Sequence, residues 1–186
     1  MDLEKPMFRS LKDRLPPTQQ IFAVYGISAL LIHGWTLIWF FWKLPSWEYF
    51  LNFGEISSAF AYAMAVNLLE CLFILFALLL FCMALPRSWF RDVFLSRAAL
   101  LVILGLGYVM FIALNIPYNS DSYPANLVRL IPVFGLLILV LVFFVGRIAL
   151  VQKLIENVAD RATIFTYIFG AVGFVSLLVV IVRNIL

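Results

Sequence analysis

Five long apolar stretches, separated by short polar segments, dominate the chain. They cover about residues 20–42, 58–85, 98–116, 130–151 and 163–182. Each is close to or longer than the stretch of about 20 apolar residues that a helix needs to cross the hydrocarbon core of a bilayer. The pattern therefore predicts an all-α integral membrane protein, with five transmembrane helices and short loops forming a single domain over residues 20–186.

The composition agrees with this prediction. Of the 186 residues, 65% are hydrophobic and only 12% are charged, and the mean hydropathy is +1.07. Soluble domains contain only about 45–50% apolar residues. A lipid bilayer is therefore the expected surrounding, and we expect a multi-pass protein of the cytoplasmic (plasma) membrane.

The Lys and Arg residues between the apolar stretches predict the orientation. Ten of the thirteen fall on one side of the predicted bundle: four in the N-terminal segment, three in the second loop and three in the fourth. Positive residues are enriched in cytoplasmic loops. The N-terminus is therefore expected in the cytoplasm and the C-terminus outside. The net charge of +3 follows from this asymmetry, so no nucleic-acid partner is expected.

Two segments outside the spans have the spacing of amphipathic helices. Residues 1–19 are expected to lie along the cytoplasmic interface, with one apolar face formed by Met7, Phe8, Leu11 and Leu15. In the fourth loop, an apolar i, i+3, i+4, i+7 series predicts that the fourth span continues past the membrane as an amphipathic helix: Val151, Leu154, Ile155 and Val158. The fourth span itself has no polar stripe and is expected to be the most lipid-exposed helix.

Polar residues near the middle of the spans are the first candidate for a site. His33 and Glu70 both fall near the predicted midplane, on helices that are adjacent in the chain. Small and polar residues form a stripe on each of these helices, and such stripes allow close approach and hydrogen bonding in membranes. The first stripe contains Gly26, Ala29, His33 and Thr36; the second contains Ala59, Ala63, Val66, Asn67 and Glu70. We expect the two stripes to face each other or a common third helix.

Together with Tyr108 of the third span, these residues predict a buried polar cluster of His33, Asn67, Glu70 and Tyr108. Its structural interpretation is a set of hydrogen bonds that fixes helix register, and its functional interpretation is a proton-handling or ligand-binding centre. A charge at this depth costs about 2.5 kcal/mol or more. A neutral Glu70 bonded to His33 is favoured over an ion pair. The single histidine makes a metal or haem site poor, so no metal and no cofactor are expected.

Aromatic and acidic residues in the outer loops are a second candidate site. The first loop carries Trp47, Glu48 and Glu55, and the third carries Tyr118, Asp121 and Tyr123. Such residues could bind a sugar, a peptide or a partner protein on the outer surface. An interfacial aromatic belt and ordinary turns explain them equally well.

The chain contains no familiar catalytic motif, so it is not expected to be an enzyme. The favoured hypothesis is a non-catalytic accessory or structural subunit of a membrane complex, bound to a protein partner or to further copies of itself. The alternative is a small proton-coupled transporter or channel with a centre at Glu70 and His33. A third hypothesis, an enzyme acting on a lipid-linked substrate, would use charges that are expected to form an interfacial turn: Arg87, Arg91, Asp92 and Arg97.

Overall fold

A computed structural model describes residues 15–86, 90–115, 125–145 and 147–185. All the regular structure in these residues is helical: α1 Thr18–Trp47, α2 Phe53–Ala84, α3 Phe94–Leu114, α4 Ala125–Val145 and α5 Ala149–Ile185. The prediction of an all-α protein is therefore confirmed. Residues 1–14 of the predicted interfacial segment lie outside the described residues.

Four of these helices are long and apolar enough to cross a membrane. They are α1, α2, α3 and α5, which contain 30, 32, 21 and 37 residues. In α4 the described side chains form a shorter apolar stretch, from Arg129 to Phe144. Large apolar side chains are exposed along the outer faces of the bundle. These features are those of a multi-pass membrane protein, because lipid rather than water solvates such surfaces.

Helix α1 lies at the centre of the bundle and packs against α2, α3 and α5, while α5 also packs against α2 and α3. Seven consecutive residues of α1, from 23 to 29, are buried. Helix α4 packs mainly against α3. Val142 is the only buried side chain among those described in α4. Among the side chains described, α4 therefore has fewer buried ones than any other helix, and its exposure to lipid stays a prediction.

Small residues set the closest contacts between helices. Gly26 of α1 lies against Ala162 and Thr166 of α5, and Gly173 of α5 lies against Leu68 of α2. The Thr166 hydroxyl donates a hydrogen bond of 3.0 Å to the Phe22 carbonyl of α1. Without a hydrophobic driving force between helices, such close backbone approach supplies much of the attraction in a membrane.

The boundary between α4 and α5 differs from the prediction. Helix α4 ends at Val145, and the amphipathic segment belongs to α5, which begins at Ala149. At about 1.5 Å per residue, α5 is about 55 Å long, whereas the hydrocarbon core is about 30 Å thick. The buried Ile155, in the N-terminal half, faces the bundle. The sequence has Gly146 directly after Val145, and glycine is the commonest residue type just past a helix end.

Candidate functional site

A polar contact joins helices α1 and α2 within the bundle. The Thr36 hydroxyl donates a hydrogen bond of 3.1 Å to the side-chain oxygen of Asn67. Asn67 is 5% exposed, and its side-chain nitrogen has no hydrogen-bond partner among the residues described. The two stripes of small and polar residues therefore meet at this level, as the sequence predicts.

A groove extends from this contact along the C-terminal half of α1 and the N-terminal half of α2. Its volume is about 320 Å³, and its lining residues are Trp35, Thr36, Trp39, Phe40, Lys43, Trp47, Ala59 and Ala63. The ring of Phe40 makes edge contacts with Trp47 and Phe60, with centroids 5.5 and 5.2 Å apart. The small side chains of Ala59 and Ala63 leave room between the helices. Aromatic rings thus form the α1 wall of the groove and alanines form the α2 wall.

Glu70 lies outside the bundle, on the exposed surface of α2. Its expected place in a buried cluster is therefore wrong. The buried face of α2 follows Met64, Cys71 and Leu78, which are at most 1% exposed. Because each residue turns a helix by about 100°, Glu70 points well away from its neighbour Cys71. The inward face combines large apolar side chains with small ones such as Ala61 and Ala65, and the stripe that contains Glu70 lies at its edge.

Glu70 shares its side of α2 with the alanines of the groove. Ala63 precedes it by seven residues, which is about two helical turns, so the two residues project in nearly the same direction. Val66 and Phe73, one turn before and one turn after Glu70, are 50% and 72% exposed. We call the surface formed by Ala63, Val66, Glu70 and Phe73 the Glu70 face.

His33 faces helix α5 rather than helix α2. Its side chain is fully buried, and its ring stacks on Phe169 of α5 with centroids 4.6 Å apart and planes 16° apart. Its Nδ1 atom lies 3.1 Å from the Ala29 carbonyl oxygen. Because a carbonyl can only accept, Nδ1 carries the proton. The Nε2 atom has no hydrogen-bond partner among the described residues, so His33 and Glu70 are not bonded to each other.

Tyr108 belongs to a separate contact, between α3 and α4. Its ring stacks on Phe134 of α4 with centroids 4.9 Å apart, and its hydroxyl is buried without a partner in the described part of the chain. The four predicted cluster residues are therefore distributed over the α1–α5, α1–α2 and α3–α4 contacts and the outer surface. No two of the four are bonded to each other in the described part of the chain, where Asn67 instead bonds Thr36 of the other predicted stripe.

The candidate residues of the first loop lie at the end of α1 and at the start of α2. Trp47 is the last residue of α1 and lines the groove. Glu48 is exposed, and its backbone N–H donates to the Leu44 carbonyl at 3.1 Å. Glu55 and Asn52 cap the start of α2 reciprocally, with bonds of 2.8 and 3.0 Å. The remaining candidates, Tyr118, Asp121 and Tyr123, lie outside the described residues.

Arg97 carries a buried charge that was not predicted from the sequence. This residue is expected at an interfacial turn, but it lies in the first turn of α3 and is only 1% exposed. Arg97 lies on the same face of α3 as two apolar residues, Phe94 three positions before it and Leu101 four positions after it. That spacing is the signal by which its burial could have been predicted.

Comparisons of the chain with protein-family models, with curated proteins and with solved structures found no match. The described residues also contain no group of three or more His, Cys, Asp or Glu side chains that could hold a metal ion. A functional proposal therefore depends on the geometry described above.

Proposed function

We propose that the protein is a five-span protein of the cytoplasmic membrane, with its N-terminus in the cytoplasm and its C-terminus outside. The distribution of the thirteen Lys and Arg residues supports this orientation. Helix α4 contains 21 residues, and at about 1.5 Å per residue its length is close to the thickness of the hydrocarbon core, about 30 Å. It can therefore serve as the fifth span.

Within the membrane, the protein acts as a non-catalytic accessory or structural subunit that packs against a larger protein partner. The observation that carries this proposal is the exposure of Glu70 halfway along α2. A charged group facing lipid at that depth costs about 2.5 kcal/mol or more. A partner helix with a hydrogen-bond donor at the same level removes much of this cost.

The surroundings of Glu70 suit a neighbouring helix. Ala63 and Ala59 have small side chains on the same side of α2, and small residues allow helix backbones to approach closely. Val66 and Phe73 add exposed apolar surface on either side of the carboxylate. No hydrogen bond or ion pair joins Glu70 to any other side chain in the described ranges, so its hydrogen-bonding capacity is free for a partner.

The alternative, a proton-coupled transporter or channel, stays a prediction. It requires His33 and Glu70 to share one centre, whereas His33 is stacked on Phe169 and Glu70 faces outward. The geometry therefore favours the subunit hypothesis. A proton flux in liposomes that depended on both residues would reverse this preference.

Site-specific photo-crosslinking in native membranes tests the proposed function. A photoreactive residue is placed at Val66 or at Phe73, on the Glu70 face, and for comparison at Phe174 of α5. Phe174 is 57% exposed, comparable to Val66, and it lies at a similar depth because its neighbour Gly173 contacts Leu68. We expect one discrete protein adduct from positions 66 and 73 and none from position 174.

Glu70→Leu provides the second half of this test. If Glu70 binds the partner helix, this substitution abolishes the adducts from positions 66 and 73 while the protein remains folded. Adducts that are equally abundant from all three positions, or unaffected by Glu70→Leu, would contradict the proposal. An adduct of twice the chain mass would identify a second copy, rather than a larger protein, as the partner.

A further inference from the structure

A cavity of about 430 Å³ lies between the first half of α3, the second half of α4 and the end of α2. This volume is within the range of about 300–1,000 Å³ that is typical of ligand sites. Nine of the ten lining residues are apolar, among them Phe81, Leu101, Leu139 and Phe143, and the tenth is Arg97. A single buried cation thus faces an otherwise apolar space.

The guanidinium of Arg97 has unused hydrogen-bonding capacity. Its Nη2 atom donates to the Phe143 carbonyl at 3.4 Å, and its central carbon lies 5.0 Å from the centre of the Phe143 ring. Its Nε and Nη1 atoms have no acceptor among the residues that the structure describes. Removing one charged group from water without an acceptor is costly. The two atoms lie on different edges of the guanidinium, and each carries an N–H hydrogen that can donate to an oxygen of a phosphate or carboxylate.

A second arginine lies close to the first. The guanidinium carbon of Arg147 is also 5.0 Å from the centre of the Phe143 ring. Since each carbon lies 5.0 Å from the same point, the two are no more than 10 Å apart. Arg147 is exposed, so it stands at the entrance while Arg97 is buried. Asp92 attracts Arg97 electrostatically, but no ion pair joins them in the described residues.

The cavity is also at the correct depth for a lipid headgroup. Arg97 is the fourth residue of α3, and Arg147 comes two residues after the last residue of α4. Both therefore lie near the same end of the α3 and α4 pair, at the membrane surface, while the apolar lining extends towards the interior. Cations at this level attract the headgroups of anionic lipids.

We propose that this cavity binds an anionic phospholipid from the adjoining leaflet. The lipid phosphate accepts a hydrogen bond from Arg97, at Nε or at Nη1, and interacts with Arg147, and the first part of an acyl chain packs against the apolar wall. The two cations select a headgroup with net negative charge. The apolar lining selects an amphiphile over a free anion, because inorganic phosphate would gain nothing from these side chains.

Native mass spectrometry of the full chain in detergent tests this proposal. The probes are phosphatidylglycerol, phosphatidylcholine and inorganic phosphate, and the variants are Arg97→Lys and Arg147→Gln. Arg129→Gln, which removes an exposed charge from the first half of α4, is the matched control. Circular dichroism and elution volume establish that each variant is folded. Because Arg147 is exposed, its variant keeps the test valid even if Arg97→Lys fails to fold.

We expect phosphatidylglycerol to bind the native protein at least about tenfold more tightly than phosphatidylcholine does, since a tenfold change corresponds to one charge-assisted interaction. Arg97→Lys keeps the charge and should weaken the binding of both lipids, Arg147→Gln removes a charge and should remove most of the preference, and Arg129→Gln should leave it unchanged. Equal affinities for the two lipids would overturn the proposal, and so would a preference that survives in a folded Arg147→Gln variant. Displacement of phosphatidylglycerol by inorganic phosphate would also overturn it, by identifying free phosphate as the ligand.

Discussion

Gly26 of α1 lies directly against the backbone of Ala162 in α5. A methyl group at position 26 would meet the carbonyl group of Ala162 and the Thr166 hydroxyl, the latter at 2.9 Å. The same Thr166 hydroxyl is bonded to the Phe22 carbonyl of α1. Helices α1 and α5 therefore approach through their backbones at this level, and the approach depends on the missing side chain of Gly26.

Gly26→Ala should weaken this contact. The added methyl group cannot displace a backbone carbonyl, so the helices must separate, and overpacking of this kind costs about 1–3 kcal/mol. Gly34→Ala is the control, because a methyl group at position 34 has nothing within 4 Å and alanine favours helix by about 1 kcal/mol over glycine. Unfolding in detergent should show a loss of stability for Gly26→Ala only. Equal stability of the two variants would be inconsistent with the close α1–α5 contact.

Thr36→Val should reduce the stability of the α1–α2 pair. It removes the donor to Asn67 while keeping the side-chain shape, and hydrogen bonds between membrane helices contribute about 0.6–1.7 kcal/mol. Thr163→Val is the control, since the Thr163 hydroxyl bonds the Ala159 carbonyl of its own helix at 2.9 Å. The measurement is unfolding of both variants in the same detergent. A Thr36→Val cost no larger than that of Thr163→Val would contradict the assigned inter-helix bond.

His33 should act through its ring rather than through its proton. His33→Phe keeps an aromatic ring to stack on Phe169, whereas His33→Ala leaves a cavity and should cost about 2–4 kcal/mol. His33→Phe also removes the buried Nε2 atom, which has no partner in the described chain, so it should retain most of the native stability. The free energies of unfolding of the two variants in detergent test this prediction. If His33→Phe were as unstable as His33→Ala, the ring nitrogens would be essential and the transporter hypothesis would gain support.

The inward side of α1 could be predicted from the sequence. Gly26, His33 and Thr36 recur at helical spacing among large apolar residues, and all three face other helices. Small and polar residues distinguish the packed side of a membrane helix, because small residues allow helices to approach closely and polar residues form hydrogen bonds between them. The existence of the helices is also predictable, since the spans need long apolar stretches.

The rotation of α2 could not be predicted in the same way. Apolar residues occur on every side of this helix, so hydrophobicity does not identify its inward face. The predicted inward stripe included Glu70, which is exposed. Burial follows Met64, Cys71 and Leu78, whose packing depends on the shapes of α1 and α5. The α4–α5 boundary is similar, because the helical spacing of Val151, Leu154, Ile155 and Val158 does not show where α4 ends and α5 begins.

The proposed function requires that a partner helix covers Glu70 in the native membrane. The accessibility of the Glu70 carboxyl group to an apolar reagent tests this requirement most directly. Dicyclohexylcarbodiimide reaches carboxyl groups from lipid, and the rate of its addition at Glu70 can be followed by mass spectrometry. Phe174→Glu, in a Glu70→Gln background, places a carboxyl group at similar depth on α5 and calibrates access of the reagent. We predict that Glu70 reacts several-fold more slowly in native membranes than in the purified protein, while the control reacts equally in both. Equal rates at Glu70 in the two preparations would contradict the proposed partner.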